Sequence, residues 1–153
     1  MDQIIRGKLE IENIPGKLFF GRIWDRSETK EFTNQIQDNA IPIIWNLTTQ
    51  EDQSVRYCFN IACAKIWSPI EDFSVPENKE AFLEKIDQVL NELKLGTNIY
   101  VHCLGGHGRT SIALCLVLIR LGIDNQEALR TAEVLTGGPE TDEQIDYVLN
   151  FLC

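Results

Sequence analysis

The residues of this sequence that could do chemistry together lie in one short stretch, from Val101 to Ser111. An apolar segment typical of a strand runs into a glycine-rich turn, which leads into an apolar helix. Cys103 opens the turn and Arg109 closes it. The glycines let backbone N–H groups point inward, and the start of the helix adds positive potential. Such a loop would hold a phosphate, with a thiolate beneath the phosphorus and a guanidinium on its oxygens.

The spacing of Cys103 and Arg109 is weak evidence alone, because a chain with five cysteines produces such pairs by chance. The surrounding residues carry the argument. A strand precedes the turn and the hydroxyl of Thr110 follows it. Both histidines of the chain, His102 and His107, lie in the stretch from Val101 to Ser111. The alternative interpretation is a structural cysteine buried where a strand turns into a helix.

The stretch from His102 to Thr110 resembles the signature loop H-C-x-x-G-x-x-R-[ST] of the cysteine-dependent protein tyrosine and dual-specificity phosphatases. Every fixed position is present. The resemblance implies that Cys103 attacks phosphorus to form a phosphocysteine, while His102 helps to keep that cysteine ionised. It also implies that Thr110 assists departure of the thiolate. The substrate-binding residues that it implies are Leu104, Gly105, Gly106, His107, Gly108 and Arg109.

A general acid should protonate the leaving oxygen from a movable loop. Asp72 is our candidate, within the segment from Pro69 to Pro76. That segment resembles the acid loop of the family, in the Pro-Ile-x-Asp form of small dual-specificity members. A solvated loop carboxylate is the alternative interpretation, and Glu71 is the second candidate for the acid.

Two residues have roles that the sequence leaves open. Gln144 lies in a segment that resembles the Thr-x-x-Gln of tyrosine phosphatases, whose glutamine positions the hydrolytic water. A capping box between Thr141 and Gln144 explains the same spacing without catalysis. His107 either adds conditional positive charge at the pocket mouth or packs on the loop, and we favour packing or a modest substrate contact.

Cofactors and metals are not expected. A zinc site made from His102, Cys103 and His107 lacks a fourth ligand at usable spacing, and it would consume the nucleophile. The five cysteines are odd in number and scattered, which is typical of reduced thiols in a cytoplasmic protein. No signal-peptide pattern opens the sequence. We therefore expect a cytoplasmic protein. We also expect it to be a monomer.

The charge balance disfavours two classes of partner. The 153 residues include 23 acidic and 14 basic ones, giving a net charge of −9. This charge opposes binding to nucleic acid and to anionic membranes. The expected partner is a phosphorylated protein or peptide.

The hydrophobic patterns predict an α/β fold in one phosphatase domain spanning residues 1–153. We expect a mostly parallel central sheet flanked by helices, as in tyrosine and dual-specificity phosphatases. Ser27 would cap the first helix, and residues 62–76 would form a loop of functional length. The predicted strands are 8–12, 17–23, 41–47, 55–61 and 97–102. The predicted helices are 28–39, 78–95 and 110–121. One further helix is predicted before Gly137 and one after it.

The most direct interpretation is a phosphatase acting on phosphotyrosine, with or without phosphoserine and phosphothreonine. Low-molecular-weight tyrosine phosphatases fit less well because their acid follows the cysteine loop, and rhodanese-type enzymes use a shorter loop. Three alternatives keep the same chemistry: a phosphoinositide, inositol phosphate or RNA 5′-end phosphatase. The absence of lysine or arginine between Cys103 and Arg109 counts against them. A phosphate-binding pseudophosphatase is the last alternative, and the intact catalytic residues count against it.

Overall fold

The structure is a computed structural model that describes residues 2–153. Five strands form one sheet in this range. The strands are β1 (Ile5–Leu9), β2 (Leu18–Gly21), β3 (Ile43–Asn46), β4 (Ala64–Trp67) and β5 (Ile99–His102). The helices are α1 (Thr29–Asp38), α2 (Lys79–Lys94), α3 (Gly108–Arg120), α4 (Asn125–Thr136) and α5 (Asp142–Leu149).

The sheet has the strand order β1-β2-β5-β3-β4, and its pairs are parallel except for β1 with β2. The predicted α/β class with a mostly parallel, helix-flanked sheet is confirmed. In the register of the sheet, His102 at the end of β5 lies between Gly21 of β2 and Asn46 of β3. The loops that follow these strands therefore meet at one edge of the sheet, where ligands of parallel α/β sheets bind.

Helix α3 lies at the centre of the larger hydrophobic core, as its nearly continuous apolar sequence predicts. Every residue from Gly108 to Ile119 is buried. The opposite face of the sheet packs on a second apolar cluster, in which Trp24 stacks on Phe32 of α1. Because α3 is packed on all sides, its first turn, which carries Arg109 and Thr110, is held rigidly.

The predicted strand 55–61 is wrong, and so is the first part of the predicted loop 62–76. Residues 55–61 form no strand: a turn at 55–56 leads to a single bridge between Tyr57 and Asp25, and β4 occupies Ala64–Trp67. β4 is an edge strand in which only Ile66 is buried, so it is too short and too exposed to show a period in the sequence. The segment before it is held by other contacts, such as the hydrogen bond from Trp24 Nε1 to the Cys58 carbonyl at 2.7 Å.

Two boundaries near the N-terminus also differ from prediction. The first strand spans Ile5–Leu9 rather than residues 8–12, and it ends before a turn in which Asn13 adopts a left-handed conformation with φ +68°. Ser27 does not cap α1. Instead, Asp25 caps a short 3₁₀ turn over Arg26–Glu28, and the Glu28 carboxylate accepts from the Asp25 N–H in a capping box. The box satisfies two orphan donors, which the serine hydroxyl alone could not do.

Candidate active site

The loop between β5 and α3, residues 103–107, is fixed by close packing on the end of β2. Gly106 has a φ of +82°, and a Cβ built there would lie 2.6 Å from the carbonyl carbon of Gly21. Only glycine fits this position without displacing β2. The N–H of Ile23 donates to the Leu104 carbonyl at 3.1 Å. The loop is therefore shaped before any ligand binds.

Cys103 is 3% exposed, and its sulfur accepts two hydrogen bonds. The donors are the Gly106 N–H at 3.2 Å and the Thr110 hydroxyl at 3.1 Å. These two donors fix the position of the sulfur in the loop. A role for Thr110 in the departure of the thiolate remains a prediction.

Arg109 is buried to 1% exposure and directs one nitrogen into the protein. Its Nη1 donates to Asp52 Oδ2 at 2.6 Å and to the Ile70 carbonyl at 2.8 Å. Its Nη2 lies 3.3 Å from Asp72 Oδ1, outside hydrogen-bond geometry. Among residues 2–153, neither Nε nor Nη2 has a hydrogen-bond partner. The Nε–Nη2 side of the guanidinium, whose spacing matches two phosphoryl oxygens, therefore has donors that no described residue uses.

Asp52 is a site residue that the sequence analysis missed. It lies in the loop after β3 and accepts from both the N–H and the hydroxyl of Thr49, at 2.9 and 3.0 Å. Burial opposes its ionisation, but the hydrogen bonds from Arg109 and Thr49 outweigh burial and lower the pKa of Asp52. An aspartate just past a parallel strand was the available signal, since such loops converge at one sheet edge.

The structure brings Asp72 to the site. Its side chain is 39% exposed, and Oδ1 lies beside Nη2 of Arg109 while accepting from the Phe73 N–H at 3.1 Å. Glu71, the second candidate for the acid, is exposed, and its backbone carbonyl accepts from the Ser74 N–H. Asp72 is therefore the carboxylate of this segment that lies against Arg109.

The segment that carries Asp72, residues 69–76, is held by the start of α5. Phe73 has a φ of +61°, a strained value for an aromatic residue. Its carbonyl accepts from the Thr141 hydroxyl at 3.4 Å, and the next carbonyl, of Ser74, accepts from Gln144 Nε2 at 2.9 Å. These contacts from α5 compensate for the strain and hold Asp72 near Arg109.

Gln144 is fully buried and forms the predicted capping box with Thr141. Its Oε1 accepts from the N–H groups of Glu140 and Thr141, and its Nε2 reaches Ser74. A role for Gln144 in positioning water remains a prediction. Glu140, which the sequence analysis also missed, accepts from the Gly108 N–H at 3.2 Å.

His102 is completely buried and neutral. Burial lowers its pKa to about 4. Because the Cys103 carbonyl 3.1 Å from Nδ1 can only accept, Nδ1 carries the proton. The ring lies edge-on to Trp24 and stacks on Tyr100. His102 therefore fixes the backbone of Cys103 as a neutral donor and supplies no positive charge.

His107 contacts residues outside the signature loop. Its Nδ1 lies 2.7 Å from the Thr136 carbonyl, and its Nε2 lies 2.5 Å from Nη1 of Arg6. A Cβ on Gly105 would lie 3.4 Å from the imidazole, so the ring also packs on the loop backbone. These contacts agree with a packing role for His107.

Residues 2–153 contain no group of three or more histidine, cysteine, aspartate and glutamate side chains placed to hold a metal. Over the same range, no helix has the length and apolar character needed to cross a bilayer.

Comparison with known proteins identifies the family. Residues 20–123 match the model of a family described as the DSP-PTPase phosphatase of polymorphic toxin systems. The chain belongs to this dual-specificity, tyrosine-phosphatase-type family. The match includes Asp52, Asp72 and the complete signature loop, so the family resemblance inferred from the sequence is confirmed.

Proteins with a similar sequence or fold are also described as phosphatases. A candidate tyrosine phosphatase of Invertebrate iridescent virus 3, 067L, is 30% identical over 102 residues, which are 62% of this chain and 42% of that protein. This chain thus spans under half the length of that relative. Kinase associated phosphatase has the same fold, with a TM-score of 0.81 at 18% identity over 97% of this chain and 94% of that one. PTPMT1 in complex with PI(5)P gives a TM-score of 0.73 at 13% identity over 93% and 92%.

The pairing of Arg109 with Asp52 predicts the effect of Asp52→Asn. We expect kcat/KM for an aryl phosphate to fall by about ten- to a hundredfold, because the charge-assisted bond that orients the guanidinium is lost. Steady-state kinetics on the folded variant measure this effect. Asp38→Asn removes the same charge at an exposed position and serves as the control. Unchanged kinetics in Asp52→Asn would show that Arg109 is oriented without this bond.

The buried neutral state of His102 predicts a pH-dependent stability. Unfolding restores its ordinary pKa of 6.5, so the unfolded chain takes up a proton that the folded chain refuses down to about pH 4. The stability contribution is complete above pH 6.5 and is lost as the pH falls toward 4. Between pH 7 and pH 5, wild type should lose about 2 kcal/mol more unfolding free energy than His102→Asn, measured by urea denaturation. Identical losses in both proteins would mean that His102 is protonated in the folded state.

Proposed function

We propose that the protein hydrolyses phosphomonoesters, chiefly phosphotyrosine in a protein or peptide, through a phosphocysteine intermediate. One arrangement carries the proposal. A hydrogen-bonded sulfur at Cys103, two nitrogens without partners on buried Arg109, and the carboxyl of Asp72 converge on one loop. Each group matches one requirement of phosphoryl transfer, namely the nucleophile, the oxygen-binding cation and the proton donor.

In the first step, the Cys103 thiolate attacks phosphorus, a sulfur–phosphorus bond forms, and the phosphorus–oxygen bond to the leaving group breaks. Nε and Nη2 of Arg109 bind the phosphoryl oxygens in the fork geometry of a guanidinium. Nη1 cannot turn toward the substrate without losing its bonds to Asp52 and Ile70. The guanidinium is therefore oriented before the substrate arrives.

Asp72 protonates the leaving oxygen, and for this it must be neutral when the substrate is bound. Its Oδ1 lies 3.3 Å from Nη2 of Arg109. Because Nη2 is one of the two nitrogens proposed to bind the phosphoryl oxygens, the carboxyl lies beside the position proposed for the phosphate.

In the second step, water attacks the phosphocysteine and Asp72 accepts a proton from that water. The sulfur–phosphorus bond breaks and returns the thiolate to Cys103. The Thr110 hydroxyl, 3.1 Å from the sulfur, stabilises the charge that returns. Inorganic phosphate then leaves, and the enzyme is restored without any other reactant.

The surroundings of Asp72 support an aryl phosphate as substrate. Phe73 is 57% exposed at the edge of the site, and its ring is available to contact an aromatic group. A phenolate is also a better leaving group than the alkoxide of serine or threonine. Because the Cys103 sulfur must stay reduced in order to attack phosphorus, the reaction belongs in a reducing compartment such as the cytoplasm.

A phosphoinositide is the second candidate substrate, because PTPMT1 has been crystallised with PI(5)P on the same fold. The net charge of −9 and the signature loop without lysine argue against an anionic lipid. Rates on a phosphotyrosine peptide, phosphoserine and phosphothreonine peptides, and PI(5)P, measured side by side, decide the question. The proposal requires the phosphotyrosine peptide to be the best substrate.

Replacing the nucleophile tests the chemical step. Cys103→Ser should lower kcat on an aryl phosphate by at least about a thousandfold, because a serine hydroxyl lacks an activating base here. Acid quenching of wild type with a labelled substrate should leave phosphate on Cys103, located by mass spectrometry. Activity of the serine variant near the wild-type level would exclude Cys103 as the nucleophile.

Replacing the acid tests the role of Asp72. Asp72→Ala should lower kcat by about a hundred- to ten-thousandfold for an alkyl or unactivated aryl phosphate. It should cost far less for p-nitrophenyl phosphate, whose leaving group needs no proton. Glu71→Ala is the matched control and should leave both rates near wild type. Equal losses on the two kinds of substrate would place the proton donor elsewhere.

A further inference from the structure

Arg6 reaches the signature loop from an irregular position in β1. The pairing of β1 with β2 shifts between Ile5 and Gly7, which leaves Arg6 in a bulge. A bulge re-aims the side chain of its extra residue, and bulges are common beside active sites. Here it brings Nη1 of Arg6 to 2.5 Å from Nε2 of His107, two residues before Arg109.

The imidazole of His107 bridges two parts of the fold. The Thr136 carbonyl, 2.7 Å from Nδ1, can only accept, so Nδ1 carries the proton. Nε2 is then the acceptor for Arg6. Thr136 in turn contacts the hydroxyl of Ser111 in the first turn of α3. His107 is thus held between β1 on one side and the end of α4 on the other.

These contacts secure the part of the loop whose backbone must face the phosphate. Gly106 is already packed against Gly21, and Leu104 is bonded to Ile23. The hydrogen bond between Arg6 and His107 adds a third attachment between residues 6–23 and the loop. Both Arg6 and Thr136 lie outside residues 20–123, the segment that matches the family model.

We infer that Arg6 is a positioning residue, which orders the phosphate-binding loop by donating a hydrogen bond to His107. This inference rests on the proposed function, since it assigns Arg6 a role in phosphate binding at the same site. An ordered loop binds phosphate more tightly because less conformational entropy is lost on binding.

The hydrogen bond, rather than the positive charge, is the contribution of Arg6. Its Nη2 is paired with Asp2 at 3.0 Å. Asp2 also lies 3.4 Å from Arg22, whose guanidinium is bound to Glu28. The acidic groups around Arg6 therefore offset much of its attraction for a distant anion.

Two substitutions separate the hydrogen bond from the charge. Arg6→Gln keeps an N–H donor and removes the charge, whereas Arg6→Met removes both. Arg130→Met removes the same charge from an exposed position on α4 and is the matched control. Thermal unfolding of each variant sets an assay temperature at which all are folded.

The probe is inorganic phosphate, which protects Cys103 from alkylation by iodoacetamide, read at each cysteine by mass spectrometry. Arg6→Met should raise the half-protecting phosphate concentration by about five- to tenfold, the effect of one hydrogen bond. Arg6→Gln and Arg130→Met should stay within about twofold of wild type. The assay needs no turnover, so a wild type that fails to hydrolyse phosphoesters refutes the proposed function without deciding the role of Arg6.

His107→Leu removes the same bond from the other side and covers the case in which Arg6→Met does not fold. It should weaken protection as Arg6→Met does, and combining the two should add nothing, as expected for one shared interaction. Wild-type protection in either single variant would overturn the inference. So would equal weakening in Arg6→Gln and Arg6→Met, which would assign the effect to charge.

Discussion

The ion pair between Arg109 and Asp52 is the interaction on which the site depends. A guanidinium with 1% exposure would be very costly without a partner. Asp52 supplies that partner, and Thr49 fixes Asp52 in turn. The pair ties the first turn of α3 to the loop after β3, and the Ile70 carbonyl adds the segment after β4. One buried cation therefore sets the mutual positions of three segments.

Only part of the Arg109 guanidinium is hydrogen-bonded. Nη1 is fully bonded, while Nε and Nη2, which are also buried, have no hydrogen-bond partner within the described range of 2–153. Buried donors without partners destabilise a protein, and the proposed phosphate would supply the missing acceptors. Asp72 partly offsets the cost by lying near Nη2. The donors that the proposed function requires are therefore ones that lower stability.

The parts of the structure that depend on local sequence could be predicted. The signature loop, the central helix α3 and the capping box of Thr141 and Gln144 each depend on neighbouring residues, and the structure contains all three. Asp52 and Arg6 could not be found in this way, because their partners are 57 and 101 residues away. β4 escaped prediction because a short edge strand buries too little to impose a pattern. Contacts between residues far apart in the sequence, and strands exposed at the edge of the sheet, are therefore the features that local sequence patterns could not predict.

The strand order has a consequence for how the chain is made. β5 is the last strand in sequence, yet it lies between β2 and β3. Until it emerges from the ribosome, β1–β2 and β3–β4 are two separate ribbons, each with an open inner edge. Such edges can pair with other chains. The signature loop follows β5 directly, so the step that closes the sheet also positions Cys103, and a nascent chain gains its protected core and this loop almost together.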